Sequence, residues 1–155
     1  MNFPILSSLI LLPIIGALFL FFTKDKDGNN LTAKYVSLFT TIVNFLISIY
    51  LWTSFDQSTS SFQFIEDREW INGFINYKVG VDGISILFII LTTFITPLCI
   101  ISVNNTIKVR LRDFLIAILI MESFMIGVFC ALDLVVFYLF FEAGLIPMFL
   151  IIGIW

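Results

Sequence analysis

Residues 134–155, LVVFYLFFEAGLIPMFLIIGIW, contain a single charged side chain, Glu142. At a rise of about 1.5 Å per residue, a helix of this length spans about 30 Å, the thickness of the hydrocarbon core of a bilayer. Four further apolar stretches of similar length precede it. The sequence therefore predicts an all-α integral membrane protein, a single membrane domain with about five transmembrane helices at residues 3–22, 32–53, 84–103, 114–132 and 134–155.

The overall composition agrees with a membrane protein and excludes several functional classes. Of the 155 residues, 60% are hydrophobic and 12% are charged, and the mean hydropathy is +1.09; a soluble domain has about 25% charged residues. The net charge of -3 does not suit a nucleic-acid partner. Histidine is absent, which rules out imidazole-based catalysis or metal binding within this sequence. Cys99 and Cys130 lie apart in apolar runs, so we expect them to fill space as small hydrophobic residues and predict no metal site.

Residues 54–81 form the one extramembrane segment of any size. Asn72-Gly73 suits the positive φ angles of a type I′ turn, so a short β-hairpin is predicted between the second and third helices. Its aromatic side chains suit the bilayer interface: Trp70, Phe74 and Tyr77. Asp82 precedes the third span and is predicted to cap it, while Asp133 is predicted to be a turn or cap residue before the fifth.

The basic residues predict the orientation, because short cytoplasmic loops are enriched in lysine and arginine. The opposite side of the predicted bundle carries only Arg68 and Lys78. We therefore expect the N-terminus on the periplasmic or intermembrane-space side. Six basic residues are counted with the first and third loops and the helix starts beside them: Lys24, Lys26, Lys34, Lys108, Arg110 and Arg112.

Two carboxylates interrupt the apolar spans and are the candidate site residues, Glu122 in the fourth span and Glu142 in the fifth. A charged side chain near the bilayer centre costs about 2.5 to 3.5 kcal/mol on insertion scales, so it is usually functional or paired. Burial favours the protonated form of a carboxyl group, and two adjacent carboxyls would titrate as a coupled pair. Glu142 is the predicted proton-transfer residue and Glu122 a secondary proton-path carboxylate. Alternatively, both are protonated hydrogen-bond partners between helices.

Gly144 and Pro147 follow Glu142 on the same predicted helix. Proline has no amide hydrogen, so Pro147 cannot bond to the carbonyl of Ala143. We expect the two residues to loosen or kink the helix beside the carboxylate, in support of its role. A kink without a transport role is the alternative reading, since prolines are common in membrane helices.

Three segments resemble one known family: KVGVDGIS at residues 78–85, LTTF at 91–94, and above all DLVVFYLFFEAGLIPM at 133–148. They look like chain M, also called subunit 4, of the proton-pumping NADH:quinone oxidoreductase, respiratory complex I. The segment MESFMIGVFC at residues 121–130 resembles the alphaproteobacterial and mitochondrial branch. The resemblance extends over nearly the whole chain.

The resemblance implies the N-terminal part of an antiporter-like helix bundle that takes part in proton translocation coupled to NADH oxidation and quinone reduction. Glu142 matches the family's fifth-helix glutamate, which pairs with a lysine on a later helix. Glu122 matches a position where other members can lack a carboxylate. The resemblance further implies that the chain is a non-redox subunit of an enzyme complex, and the chain alone is not expected to be catalytic.

No flavin motif, phosphate loop or iron–sulfur cysteine pattern occurs in the sequence. We therefore expect no cofactor in this chain, with NADH, FMN, iron–sulfur clusters and quinone on other subunits. The expected partners are lipids, the other membrane subunits of complex I and neighbouring antiporter-like subunits. The expected location is the bacterial cytoplasmic membrane or, alternatively, the mitochondrial inner membrane.

The chain is short for this family, whose members have about fourteen helices. It is therefore interpreted as truncated, or as a split subunit completed by a second polypeptide that supplies the missing helices. Two alternative functions stay open at this point. One is part of a multisubunit sodium/proton antiporter of the same superfamily, and the other is a structural fragment that conducts nothing.

Overall fold

The computed structural model describes residues 4–22, 31–71, 75–103, 107 and 110–155. In chain order the elements are α1 (Ile5–Phe22), α2 (Leu31–Thr53), β1 (Gln63–Ile71), β2 (Ile75–Val81), α3 (Gly83–Ser102), α4 (Leu111–Cys130) and α5 (Leu134–Ile154). All five helices are long and apolar enough to cross a membrane. The prediction of an all-α membrane fold with five helices and one small hairpin is confirmed.

The helix ends follow from local sequence. Asp82 accepts a hydrogen bond from the Ser85 amide at 2.7 Å and caps α3, as predicted. Asp133 caps α5 in the same way, accepting from the Val135 amide at 2.8 Å. α4 begins three residues before the predicted span: its first turn holds Asp113, whose negative charge is favourable at a helix N-terminus.

α4 is the central helix and contacts each of the other four. Two glycines bring helices close together. A Cβ atom on Gly16 would lie 2.7 Å from the Thr40 side chain on α2, and one on Gly127 would lie 2.7 Å from the Phe140 ring on α5. These close approaches are typical of membrane helix packing, where small residues let backbones meet.

Two apolar clusters fill the ends of the bundle. The cluster at the hairpin end consists of Leu6, Leu9, Ile10, Leu51, Val79, Val81, Ile86, Ile89, Ile126 and Cys130. The cluster at the opposite end consists of Ala17, Leu20, Ala33, Ile100, Leu115 and Leu119. The helices therefore leave a layer at middle depth that neither cluster occupies.

The hairpin is antiparallel and is fixed to the helices at two points. The Glu66 carboxylate accepts hydrogen bonds from the first amides of α1, with Leu6 N at 2.9 Å, and also from the Ser7 hydroxyl. The Leu132 amide, between α4 and α5, donates to the Lys78 carbonyl at 3.0 Å. The predicted Asn72-Gly73 turn lies outside the described residues.

Tyr77 joins the contact between β2 and the start of α1. Its hydroxyl lies 3.2 Å from the Ser7 hydroxyl, and burial raises the pKa of this phenol above its ordinary value. Of the predicted interface aromatics, the side chains of Trp70 and Phe74 lie outside the described part of the chain. Tyr77 thus packs inward against a helix end.

Candidate functional site

Glu122 lies in the interior of the bundle, where its side chain is 2% exposed. One carboxylate oxygen, Oε1, accepts a hydrogen bond of 3.0 Å from the Asn44 side-chain amide on α2. The other oxygen, Oε2, is buried and has no hydrogen-bond partner within the described structure. The Asn44 carbonyl oxygen, Oδ1, is likewise buried and without a partner.

The Glu122–Asn44 pair occupies the layer between the two apolar clusters, together with other buried polar side chains. On α4, the Ser123 hydroxyl donates to the Ile10 carbonyl of α1 at 2.6 Å. The hydroxyls of Ser48 on α2 and Thr93 on α3 lie 2.8 Å apart. The bundle therefore has a polar middle in which α1, α2, α3 and α4 are joined by side-chain hydrogen bonds.

A groove of about 740 Å³ runs between α3 and α4 and has Glu122 in its wall. The remaining lining is mostly apolar; it includes Leu91, Ile95, Cys99, Ile118 and Met125. From Phe88 on α3 to Val103, the residue that follows α3, the lining covers fifteen residue steps, a length of about 22 Å along the helix axis. The groove thus runs along much of the length of the bundle and passes Glu122.

Glu142 lies on α5 and is exposed on the surface of the described structure. Phe140 and Gly144 face α4, since Phe140 packs on Gly127 and Gly144 approaches the Phe124 side chain. Glu142 is two residues from each of them, which on a helix is a rotation of about 200°. Its carboxylate therefore points away from α4, and Tyr138, one turn earlier, interacts with it.

Glu122 and Glu142 do not face each other. Glu122 contacts α2 through Asn44, whereas α4 meets α5 through Phe124 and Gly127. The two carboxyls lie at similar depth because they are separated by similar lengths of helix from Asp133, yet they lie on opposite sides of the α4–α5 contact. The condition for a coupled pair, adjacency of the two groups, is not met.

The other predicted site residues, Gly144 and Pro147, lie within α5, which continues through both. Pro147 is one of only two buried residues of this helix. Its missing amide hydrogen leaves the Ala143 carbonyl without its helical donor. Loosening of the helix beside Glu142 stays a prediction.

Metal-binding groups are not found among the residues that the structure describes: no three His, Cys, Asp or Glu side chains come together. Cys130 is buried and Cys99 is exposed, and both are free. The candidate site is therefore built from carboxyl, amide and hydroxyl groups.

Asn44 is the site residue that sequence reasoning missed. The signal was present, because small polar residues recur at helical spacing along α2, at Ser37, Thr41, Asn44 and Ser48, and all four are buried. In a membrane helix such a stripe marks the face that turns to other helices. Asn44 is the member of this stripe with a side chain long enough to reach α4.

Comparison with known proteins places this arrangement in a family. The model of the family described as NADH-ubiquinone oxidoreductase chain 4, amino terminus, matches residues 7–128. The chain belongs to the NADH-ubiquinone oxidoreductase chain 4 family. The resemblance stated from the motifs is thereby confirmed.

Relatives of this chain 4 family member occur in bacteria and in a plant. NADH-quinone oxidoreductase subunit M of Rhodobacter capsulatus is 52% identical over 153 residues, which cover 97% of this chain and 30% of the relative. NADH-ubiquinone oxidoreductase chain 4 of Marchantia polymorpha is 44% identical with the same coverage. Subunit M of Rickettsia typhi is 41% identical over the whole chain and 32% of the relative. The chain spans about a third of the length of these relatives.

Proposed function

We propose that this chain supplies membrane helices of a subunit that translocates protons in an NADH:quinone oxidoreductase. Membership of the chain 4 family carries the proposal. The presence of carboxyl groups at middle depth in two apolar helices supports it, because such groups are rare in membrane spans and are common in proton relays. The redox reaction itself takes place on other subunits, which hold NADH, FMN, iron–sulfur clusters and quinone.

Glu142 is the proposed proton-transfer residue, with Glu122 in a secondary role. Glu142 forms no ion pair in the part of the chain that the structure describes. A carboxylate on an apolar helix needs water or a cationic partner to ionise. In the complete protein we expect this surface of α5 to be covered by further helices, one of which brings a lysine or water to Glu142.

The complex is placed in the bacterial cytoplasmic membrane or the mitochondrial inner membrane, with the N-terminus of this chain on the periplasmic or intermembrane-space side. Its partners are other membrane subunits of the complex, including neighbouring antiporter-like subunits. The alternation of helix ends supports this orientation. The hairpin and the α4–α5 turn lie together at one end, and the helix ends next to the basic loops lie at the other.

The proposal is tested by Glu142→Gln in the complete complex, because glutamine keeps the shape of the side chain but cannot ionise. We expect NADH-driven proton uptake by inverted membrane vesicles to fall by at least tenfold, a difference of about 1.4 kcal/mol or more in the barrier. Assembly, followed by native gel electrophoresis, should be unchanged. Asp56→Asn, at an exposed acid outside the membrane, is the matched control and should pump normally.

Normal proton uptake in the Glu142→Gln complex would contradict the role of Glu142 and favour a structural function for these helices. Proton movement driven by a sodium gradient and independent of NADH would contradict the coupling to NADH oxidation. That result would favour the sodium/proton antiporter.

A further inference from the structure

The side chains of Glu122 and Asn44 form one hydrogen bond and leave two buried oxygens without a donor. The Asn44 amide donates to one carboxylate oxygen at 3.0 Å, which leaves two acceptor atoms, Glu122 Oε2 and Asn44 Oδ1, buried without partners. Two acceptors cannot bond to each other unless a hydrogen lies between them. A carboxylic acid and a primary amide have complementary planar ends, so a proton on Oε2 would form the second hydrogen bond of a closed ring.

The surroundings of the pair disfavour an ionised carboxylate. Lys34 is the only charged residue on α2; it is ten residues from Asn44, about 15 Å along the helix. On α4 the other charges, Arg112 and Asp113, are nine or more residues from Glu122, at least about 13 Å away. α1 and α3 carry no charged residue. A buried carboxylate without a nearby cation is strongly destabilising, whereas a neutral acid that is fully hydrogen-bonded is not.

A bound metal cation does not suit the same atoms. Sodium and calcium sites in proteins use several oxygen ligands, commonly six or more for calcium. In the middle layer the buried oxygens without a partner, among the described residues, are Glu122 Oε2 and Asn44 Oδ1; the other such oxygen, Asn76 Oδ1, lies on the hairpin. The nearby Thr93 hydroxyl already donates to the Ile89 carbonyl at 3.0 Å and lies against Ser48. One proton between the two free oxygens would satisfy both, whereas a metal ion would need further ligands.

The groove between α3 and α4 offers a path by which a proton on Glu122 could exchange with water. Glu122 lies in the wall of the α3–α4 groove, which extends along α3 as far as Val103. The polar lining of the groove includes Thr92, Thr96 and Ser102, which could hydrogen-bond to water. A proton held by the pair could thus exchange through the groove, on the side of α4 that faces away from Glu142.

We propose that Glu122 and Asn44 form a second proton-binding site, in which Glu122 is a neutral carboxylic acid that donates its proton to Asn44 Oδ1. The bound proton sits between the two oxygens, and its release leaves a carboxylate that keeps one hydrogen bond from the amide. Glu122 is the group that binds the proton, and Asn44 is a positioning residue. The proposal rests on the proposed function only in assigning the exchanged proton to translocation.

The test is infrared difference spectroscopy of the complete complex, comparing the wild type with Glu122→Gln. A neutral acid gives a carbonyl band that a carboxylate lacks and that shifts in D2O. We expect this band in the wild type and its loss in Glu122→Gln. In Asn44→Leu, which has no amide to accept the proton, the band should move to higher frequency because the acid loses its hydrogen bond.

The double variant Asn44→Asp with Glu122→Gln is the sharpest comparison, because it exchanges the acid and the amide while the summed side-chain length stays the same. The acid band should return near its wild-type frequency, now from residue 44. Asn44→Asp alone keeps Glu122 and places a second acid beside it, so its acid carbonyl absorption should differ from the single wild-type band. A purely structural role for these residues predicts no such restoration.

An acid carbonyl region that is the same in the wild type and in Glu122→Gln would overturn the proposal, because Glu122 would then carry no proton. An unchanged band in Asn44→Leu would overturn the role of Asn44. Loss of the acid band on adding sodium chloride at fixed pH would show a cation site instead. Should Glu122→Gln fail to assemble, Asn44→Leu and the double variant provide the same comparison. The measurement needs no proton pumping, so its failure is separate from that of the proposed function.

Discussion

α4 and α5 are adjacent helices of nearly equal length and hydropathy, yet they are placed very differently. Nine residues of α4 are buried, including Glu122, whereas α5 has two buried residues, Val136 and Pro147. α4 begins without a side-chain cap and is held by its neighbours, while α5 is capped by Asp133 and rests mainly on α4. The comparison shows that a carboxylate at middle depth acquires its properties from the packing of its helix.

Glu122 and Glu142 therefore represent two different ways to keep an acid in a membrane helix. Glu122 is supported within the described helices by Asn44, and its environment is already formed. Glu142 interacts with Tyr138 on an exposed surface of the described structure, and its proposed partners belong to further helices.

The largest expected effect comes from comparing the two glutamine variants in the complete complex. Glu142→Gln should abolish proton transfer, whereas Glu122→Gln should reduce it by a smaller factor, because a glutamine at 122 can still bond to Asn44. NADH-driven proton uptake per NADH oxidised measures both. An equal loss in the two variants would contradict the distinction between the two carboxyls.

The next largest effect should come from the contact between the two helices. Gly127→Leu places a side chain where the Phe140 ring lies, since even a Cβ atom would be 2.7 Å from it. Overpacking of this kind costs about 1 to 3 kcal/mol, so α5 should separate from α4. The fraction of complex that survives heating in detergent measures the loss.

Gly153→Leu is the control for this contact, because no atom lies within 4 Å of a Cβ at that position. The substitution is the same, glycine to leucine, but Gly153 lies near the end of α5 and outside the contact between α4 and α5. A thermal loss as large in Gly153→Leu as in Gly127→Leu would mean that added bulk in these helices is harmful wherever it is placed.

The helix spans and caps could be predicted from sequence because they depend on local features. Long apolar runs indicate the five helices, and an aspartate just before a run indicates a cap, as at Asp82 and Asp133. In α1 and α5 the apolar residues surround the helix on every side. Their sequences therefore contain no signal for which face meets a neighbour, and the direction of Glu142 could not be predicted.

Contacts between residues far apart in the sequence could not be predicted from local patterns. Glu122 reaches Asn44, which is 78 residues away, and Glu66 reaches the start of α1, about 60 residues away. The acidic residue at position 66 looks like any other charge in an extramembrane loop. Only the folded hairpin shows that its carboxylate is placed at the positive end of a helix.

A smaller effect is expected from removing the cap of α5. Asp133→Ala leaves the Val135 and Val136 amides without their acceptor and should cost about 1 kcal/mol. Because α5 has little packing, the loss should appear as faster hydrogen exchange in its first turn. Replacing the exposed Asp56 by alanine should leave that exchange unchanged, and equal protection in Asp133→Ala and the wild type would contradict the importance of the cap.

The smallest expected effect concerns α3. This helix has a side-chain cap, as α5 does, and is packed against neighbouring helices, as α4 is. Hydrogen bonds from Ser85 lower the pKa of Asp82 below its ordinary value. The charged cap therefore stabilises the folded state above the ordinary carboxyl pKa, and this stabilisation is lost as the pH falls through the lowered pKa.

Asp82→Asn keeps an acceptor but removes the charge, a change of about 0.3 to 1 kcal/mol at neutral pH. Hydrogen exchange at the start of α3 should thus be faster in the variant at neutral pH and equal to the wild type in acid. A difference that persists unchanged in acid would mean that the carboxylate charge is not what holds this helix end.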